Sequence, residues 1–506
     1  MPLPIPLKPA LPLWPLLPGM VFPVMLLVLA LDLHGGGLNL LGRFALAAVQ
    51  PSLDPPLIAS LLQGLQVTLI TALLAWGVSC LAGCALGLLS SRHVWLLVNG
   101  TTTGAVLVRR LLAPIRSLHE LIWGLLLLQV FGLNGWVAVL AIAVPYAALL
   151  ARVVSDQIDS RNPPASLALQ RGGAGPGAAF VTAVLPTVGP SLISQMAQRL
   201  DCALRSAVLL GVFGLGGLGT DLVLSLQSLQ FRELWSGLWI LALAMVLLEV
   251  LLNRFPTGMI LLLLTAALPA GLLWGSMLQL DLTAPQLADL SLFQAVDGAA
   301  LMEALTTTPW PGLILSTLGL TLLGSAVAIS GPVLGLMVWP GRSAAHLQRW
   351  GWGLLRLLPP PLTALLLMMM VKPSLWLAGL ALGLHHLGVM GRILVEDLDH
   401  NDPGLSQALR CMGAGQRQAW LMGELAPCSR SYLIYAASRC DVILRDTAVV
   451  GLVGGAGLGW QLIEALGSFH WAQVFWLVLA YATLTSLGEL LMDRLQRQWA
   501  CQAGSL

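Results

Sequence analysis

Charge is what this sequence has least of. Only 9% of its 506 residues are Asp, Glu, Lys or Arg, where a soluble domain carries about a quarter. Hydrophobic residues make up 57% and mean hydropathy is +0.85, which excludes an ordinary water-soluble fold and implies an integral membrane protein. A net charge of +2 leaves no basic surface for nucleic acid. Seven cysteines, an odd number, sit mostly inside apolar stretches without a C-x-x-C pair, so neither a disulfide framework nor a metal site is expected. Missing too are a G-x-x-x-x-G-K-[ST] phosphate loop, an H-E-x-x-H pair and a nucleophile elbow. The adjacent His385 and His386 fall in an apolar run and read as core packing. No catalytic site is expected, and any ATP hydrolysis belongs to another protein.

What is present is a series of long apolar runs, each needing about 20 residues to cross the hydrocarbon core. They lie near 19–34, 61–90, 117–132, 134–156, 183–213 and 233–253, then near 256–278, 309–339, 357–371, 373–395, 425–453 and 470–492. Only Lys8 precedes the first, and no small-residue cleavage site follows before Leu38, so it reads as a retained span rather than a leader. The expectation is an all-α membrane protein of about 12 spans, six in 1–254 and six in 255–506, with Arg254 and Pro256 at the junction.

Arginines set the orientation. Arg92, Arg109, Arg110 and Arg116 follow the second run, Arg161 and Arg171 the fourth; Arg342, Arg349 and Arg356, then Arg410 and Arg417, then Arg494 and Arg497 occupy matching places later. By the positive-inside rule these loops and both termini face the cytoplasm. The segment 279–308, with Asp281, Asp289, Asp297 and Glu303 but no Lys or Arg, falls outside. The segment 92–116, interrupted by Thr101 to Gly104, reads as an interfacial helix; as an extra span it would invert every later loop, which the arginine count excludes.

Shifted by 240, residues 168–222 align without a gap on 408–462, with roughly a third of positions identical. With six spans per copy the repeats are parallel, as for a pseudo-two-fold axis along the membrane normal, and a pore between the halves is expected. Three blocks recur. The first is Leu167-Ala-Leu-Gln-Arg-Gly-Gly-Ala-Gly175 and Gln407-Ala-Leu-Arg-Cys-Met-Gly-Ala-Gly415, a short helix ending at a glycine turn. One copy could be any helix connection; two at a fixed offset point to a purpose. This loop resembles the "EAA" loop of binding-protein-dependent ABC permeases, whose short cytoplasmic helix docks into a cleft on an ATPase subunit. Ala168, Gly173, Ala174 and Pro186 match in the first copy, Ala408, Gly413 and Ala414 in the second, with a proline one place late at Pro427. The family's leading glutamate is absent from both, standing as Leu167 and Gln407.

The second block, Arg199-x-Asp201-x-x-x-Arg205 and Arg439-x-Asp441-x-x-x-Arg445, puts ionisable residues inside apolar runs, at a cost of about 3 kcal/mol or more each before pairing. Asp201 and Arg205 are i,i+4 neighbours able to pair; Arg199 lies about 160° round the helix from Asp201. The block reads either as structural ion pairs or as a polar transport path, in which two guanidinium forks could meet a tetrahedral oxyanion.

The third block is Gly-rich, with Gly214, Gly217 and Gly219 in one copy and Gly454, Gly457 and Gly459 in the other. Its literal G-x-G-x-x-G lacks the preceding strand and the acid about 20 residues on that a dinucleotide site needs, so close helix packing on the pore side is the better reading. The sequence of charged block then glycine block is similar to the permeases of phosphonate-type ABC importers. Further likenesses are the spans Leu65 to Leu88 and Thr317 to Leu336, Arg116-Ser-Leu-His-Glu-Leu-Ile-Trp123 against that family's Arg-x-x-Pro-Glu-x-x-Trp, and His385 to Glu396. His119 replaces the family's proline, and Pro359-Pro-Pro361 lacks a counterpart of Glu120.

The resemblance implies two type I ABC importer permease repeats fused in one chain, in the bacterial inner membrane. It implies coupling loops at about 160–180 and 400–420, two cytoplasmic ATPase subunits binding ATP and Mg, a periplasmic or lipid-anchored binding protein, and no cofactor on this chain. The cargo implied is a phosphonate, phosphite or phosphate; other solutes (an amino acid, a vitamin, a metal) remain open, as does an ion-gradient-driven transporter.

Overall fold

In this computed structural model residues 16–160, 163–280, 282, 297–451 and 456–501 are described. Arg161, Asp281, Asp289 and Gly454 lie outside them. The described chain is helical, with one isolated antiparallel bridge, Leu33 to Val371.

Helices follow one another as α1 (Leu16–Leu31), α2 (Gly37–Ala47), α3 (Pro55–Ser90), α4 (Arg92–Asn99), α5 (Thr103–Ser117), α6 (Glu120–Phe131), α7 (Gly135–Ser160), α8 (Pro163–Arg171) and α9 (Pro176–Ala179). A π turn then leads into α10 (Leu185–Leu210), followed by α11 (Leu218–Gln227) and α12 (Phe231–Arg254). The order starts again with α13 (Thr257–Met277), α14 (Gly298–Thr307), α15 (Trp310–Val338), α16 (Arg342–Leu357), α17 (Pro360–Met368), α18 (Leu375–His400), α19 (Gly404–Cys411) and α20 (Gln416–Trp420). A second π turn precedes α21 (Ala426–Gly451), then α22 (Leu458–Gly467) and α23 (Trp471–Cys501). Among the described residues nothing in the second series corresponds to α4.

Local chemistry sets the boundaries. Pro55 and Pro56 open α3, where a missing N–H costs nothing. Ser91 closes α3 with its backbone and caps α4 by accepting from the Val94 N–H. The His119 imidazole accepts from the Leu121 N–H at the start of α6, and Ser374 caps α18 at Leu377.

Eight helices are long and apolar enough to cross a membrane, or ten if the bent pairs α5–α6 (88°) and α16–α17 (86°) each count as one span. The expected twelve spans exceed this for physical reasons. α6 and α17 are 12 and 9 residues long, too short to cross unaided, while α21 carries five ionisable residues, Arg430, Arg439, Asp441, Arg445 and Asp446.

The chain packs as two compact units, one of residues 43–305 and 466–486, the other of 1–42, 306–465 and 487–506. These are not the contiguous stretches 1–254 and 255–506. In the first unit α3 is central and packs on α7, α10, α11 and also α13; in the second α15 packs on α18, α21 and also α1. Small residues allow it: a Cβ on Gly271 of α13 would lie 2.7 Å from Leu74 of α3, and Gly19 of α1 sits against Leu334 of α15. The closest pairings have the same cause. A Cβ on Gly83 would stand 2.8 Å from the Leu150 Cβ, one on Gly87 2.6 Å from the Val154 Cβ, and one on Gly379 2.7 Å from the Leu323 Cβ. In lipid, where apolar surface gains little by leaving the solvent, such close approach holds helices together.

Gly87→Ala should therefore overpack the α3–α7 seam and destabilise the protein by about 1–3 kcal/mol, read as a lowered midpoint of detergent or thermal denaturation. Gly258→Ala, where a Cβ meets nothing within 4 Å, should not lower it.

Candidate functional site

The two glycine-turn loops have one backbone design. Gly173 N–H donates to Gln170 O and Ala174 N–H to Leu169 O, both at 3.0 Å; Gly413 N–H donates to Arg410 O and Ala414 N–H to Leu409 O, again at 3.0 Å. This double closure of a helix end requires a left-handed residue, and Gly173 and Gly413 stand at φ +93° and +89°. Ala168 and Ala408 are exposed, Ala174 and Ala414 half-buried.

What braces the loops differs. Behind the first lies α4: the His93 ring is 2.7 Å from the Ser166 hydroxyl, and Gln170 Nε2 donates to Leu97 O at 2.7 Å. Asp159 secures the start of α4, accepting from Ser91 Oγ (2.7 Å) and the His93 N–H (3.0 Å), and also holds the Arg109 guanidinium at 2.7 Å. The second loop has Arg342 instead, whose Nε donates to Glu424 Oε2 at 2.8 Å and whose Nη2 donates to Asn401 O at 2.9 Å. Gly423 lets the backbone of Ser406 approach, since a Cβ there would lie 2.5 Å from the Ser406 Cα.

Deeper in each unit the expected i,i+4 pairs form. Arg205 Nη2 donates to Asp201 Oδ2 at 2.6 Å, and Arg445 pairs with Asp441 in the same way. Arg199 and Arg439 are half-buried on another part of their helices. Beside each pair stands a further carboxylate. Glu120 accepts from Ser206 at 2.6 Å, Ser206 is 2.8 Å from the Tyr146 hydroxyl, and His119 lies 3.5 Å from Glu120. In the other unit His386 Nε2 lies 3.0 Å from Asp446 Oδ2. Tyr146 and Ser206 are each 240 residues from His386 and Asp446. Sequence reasoning put His386 in the core and overlooked this pairing. The ring is only 2% exposed, and the signal available was a second acid, Asp446, directly after Arg445 in an apolar run.

The glycine blocks break the helices. Gly214, Gly216 and Gly217 take φ +85°, +88° and +86°, and Gly457 takes +108°. Each break leaves a buried N–H that one threonine satisfies: Leu218 N–H donates to Thr68 Oγ1, and Leu458 N–H to Thr317 Oγ1, both at 2.9 Å. Gly459 admits the backbone of Ala448, 2.7 Å from where a Cβ would stand, and Gly219 is as tightly set against Val208. Helices flank both blocks, so the G-x-G-x-x-G is not a nucleotide fingerprint. Among the described residues no group of three or more His, Cys, Asp or Glu is placed to hold a metal ion.

Two outcomes follow from this geometry. Asp441→Asn leaves a guanidinium without its partner in a site where both side chains are about a tenth exposed, and should cost about 3–5 kcal/mol in unfolding free energy; replacing Asp441 and Arg445 together by leucine should recover most of it. His93 is a pH-sensitive brace. Burial holds its imidazole below the ordinary 6.5, against a smaller opposing pull from Asp159. The folded state thus favours the neutral ring, and this contribution, complete above about pH 6.5, is lost as pH falls below it. Amide protection of 163–171, corrected for intrinsic exchange, should fall on going from neutral to about pH 5, and His93→Gln should remove that dependence.

No family model matches the chain. Individual proteins do. It is 24% identical over 456 residues to the phosphate-import permease protein PhnE of Mycolicibacterium smegmatis, covering 83% of this chain and 82% of that one. It is 28% identical over 195 residues to the phosphite transport system permease protein PtxC of Stutzerimonas stutzeri, 38% of this chain and 71% of that one. It is 31% identical over 120 residues to the putative cryptic phosphonate transport system permease protein PhnE2 of Escherichia coli K12, 24% of this chain and 98% of that one. Glycine-turn loops and paired charges within long helices thus accompany likeness to transport permeases, one of them matched along almost its whole length, and the chain belongs to the phosphonate and phosphite permease family of ABC transporters.

Proposed function

We propose that this chain is the transmembrane permease subunit of an importer that carries a phosphorus oxyanion (a phosphonate, phosphite or phosphate) across the bacterial inner membrane, driven by ATP hydrolysed on separate subunits. The observation that carries the reading is the recurrence, 240 residues apart, of one glycine-turn loop with identical backbone closure, in a chain whose relatives are named for phosphate, phosphite and phosphonate transport. In this reading the chain is two parallel six-span repeats with both termini in the cytoplasm. Two copies of an ATPase, holding ATP and Mg, dock on the loops at 160–180 and 400–420, with Ala168, Gly173, Ala174, Ala408, Gly413 and Ala414 shaping the contact. A binding protein delivers cargo from outside. Closure of the ATPase pair draws the loops together and rocks the membrane portion between outward-open and inward-open states.

The intramembrane charges supply the selectivity. Arg205 and Arg445 pair with their own aspartates, while Arg199 and Arg439 stand half-buried on another part of the same helices; in this reading those two arginines meet the anion in transit. Such a path repels metal cations, one of the alternatives beside an amino acid or a vitamin. A scaffold that transports nothing would have no use for the same charged block in register in both halves.

Reconstituted with its ATPase, the chain should show ATP hydrolysis stimulated several-fold by a binding protein loaded with one of phosphonate, phosphite or phosphate, and the stimulation should be lost in Arg199→Gln, Arg439→Gln. Stable assembly without stimulation by any of the three would discard the oxyanion reading. Absence of assembly would discard the docking role of the loops.

A further inference from the structure

The two loops that close their helices identically present different chemistry at their tips. In the second, Arg410 and Arg417 flank the turn, both exposed, and neither holds an ion-pair partner among the described residues. Met412 between them is 83% exposed. From 404 to 423 there is no Asp or Glu; Asp402 is occupied in capping the Gly404 N–H, and Glu424 is buried against Arg342. Over 164–183, the residues equivalent to 404–423, the first loop carries one exposed cation, Arg171, and has Gly177 where the second has Arg417.

Helix electrostatics accounts for only one of the two arginines. Arg410 lies in the last turn of α19, where a cation complements the partial negative charge of the C-terminus. Arg417 lies in the first turn of α20, which runs through a π turn into α21. That is the positive end of the helix, where a cation is disfavoured by about 0.3–1 kcal/mol. A side chain held there, solvent-facing and unpaired, gains a compensating partner only from outside the chain.

We infer that the second loop docks into an acidic cleft, with carboxylates of the cytoplasmic ATPase facing Arg410 and Arg417. The polarity is the reverse of that implied by a glutamate-led loop, and the place of that glutamate is taken by neutral Gln407. The first loop, with half the charge and α4 fixed behind it, docks chiefly by shape. One chain therefore offers its two ATPase contacts unequal charge. This rests on the reading of the loops as ATPase-docking elements.

The test is binding of the full chain to its ATPase, measured over a range of ionic strength, with the charge-reversed Arg410→Glu, Arg417→Glu variant and the milder Arg410→Gln, Arg417→Gln. Reversal should weaken binding at least tenfold at about 0.1 M salt, the neutral variant less, and both differences should shrink to under about threefold near 1 M, where the screening length is about 3 Å. Arg171→Glu should change affinity by under about threefold, as one exposed charge does. In the assembled wild type, alkylation of the exposed Cys411 should be slowed. Wild-type affinity in the reversed variant, a loss that persists at high salt, or an unprotected Cys411 in a complex that forms would each overturn the inference. Failure of the wild type to bind the ATPase would instead overturn the underlying reading of the loops.

Discussion

A charge placed inside an apolar helix has to be neutralised close to where it stands, and this constraint organises much of the interior of the chain. Hydrocarbon offers no water to the ionised form, so the aspartates at 201 and 441 sit one helical turn before the arginines at 205 and 445 and pair within their own helices. Such a pair needs no tertiary structure to form, which lets a charged segment enter the membrane before its neighbours are in place. Interhelical contacts then handle what is left, including one further carboxylate beside each pair. Glu120 is met by the Ser206 hydroxyl and Asp446 by the His386 ring. The two solutions occupy corresponding positions and differ chemically, since a hydroxyl stabilises a carboxylate without changing its own charge, whereas an imidazole can exchange a proton with it.

The same absence of water governs the backbone. A helix interrupted at membrane depth exposes N–H and C=O groups that must find partners in the protein. At Gly214 to Gly217 and at Gly457 the chain takes left-handed conformations, and a single threonine on the long helix alongside receives the first freed N–H in each unit. Thr68 and Thr317 in turn donate to carbonyls one turn back, Gly64 and Leu313. Each hydroxyl is thereby used as donor and acceptor at once. The glycines and threonines form one device, in which neither part is tolerable alone.

The i,i+4 pairs and the glycine-closed loops were legible in the sequence because both are local. A four-residue spacing and an L-x-x-x-G-A turn carry their geometry in the order of residues. Contacts between distant segments were not. His386 and Asp446 are separated by 60 residues, and only the crossing of α18 and α21 brings them together. The placement of α1 on α15 and of α13 on α3 was hidden for a similar reason, since an apolar run with small residues fits many partners equally well. Length and hydropathy single out eight to ten of the twelve expected spans, because the bends of 88° and 86° before α6 and α17 leave pieces that are apolar enough, yet long enough to cross only together with the helix before them. The segment 92–116 reads as interfacial from its composition, but nothing in its hydropathy marks α4 as a brace.

That brace is the clearest divergence between the two series. From Thr68 to Arg109 is 41 residues, and from Thr317 to Arg349 is 32, so the first series holds nine more between equivalent landmarks, close to the length of α4. Two separate, identical subunits could not differ in this way, because any insertion would appear in both. Within a single polypeptide the two series can differ independently, subject only to each keeping its own buried groups satisfied. The outcome is one loop held by a histidine, a serine and an amide, and one held by an arginine bridging Glu424 and Asn401. The first bracing set includes a ring that can gain a proton, and the second rests on a guanidinium, a group that stays protonated in proteins. Their mechanical response to pH cannot be the same, even though the turns they support are closed by the same hydrogen bonds.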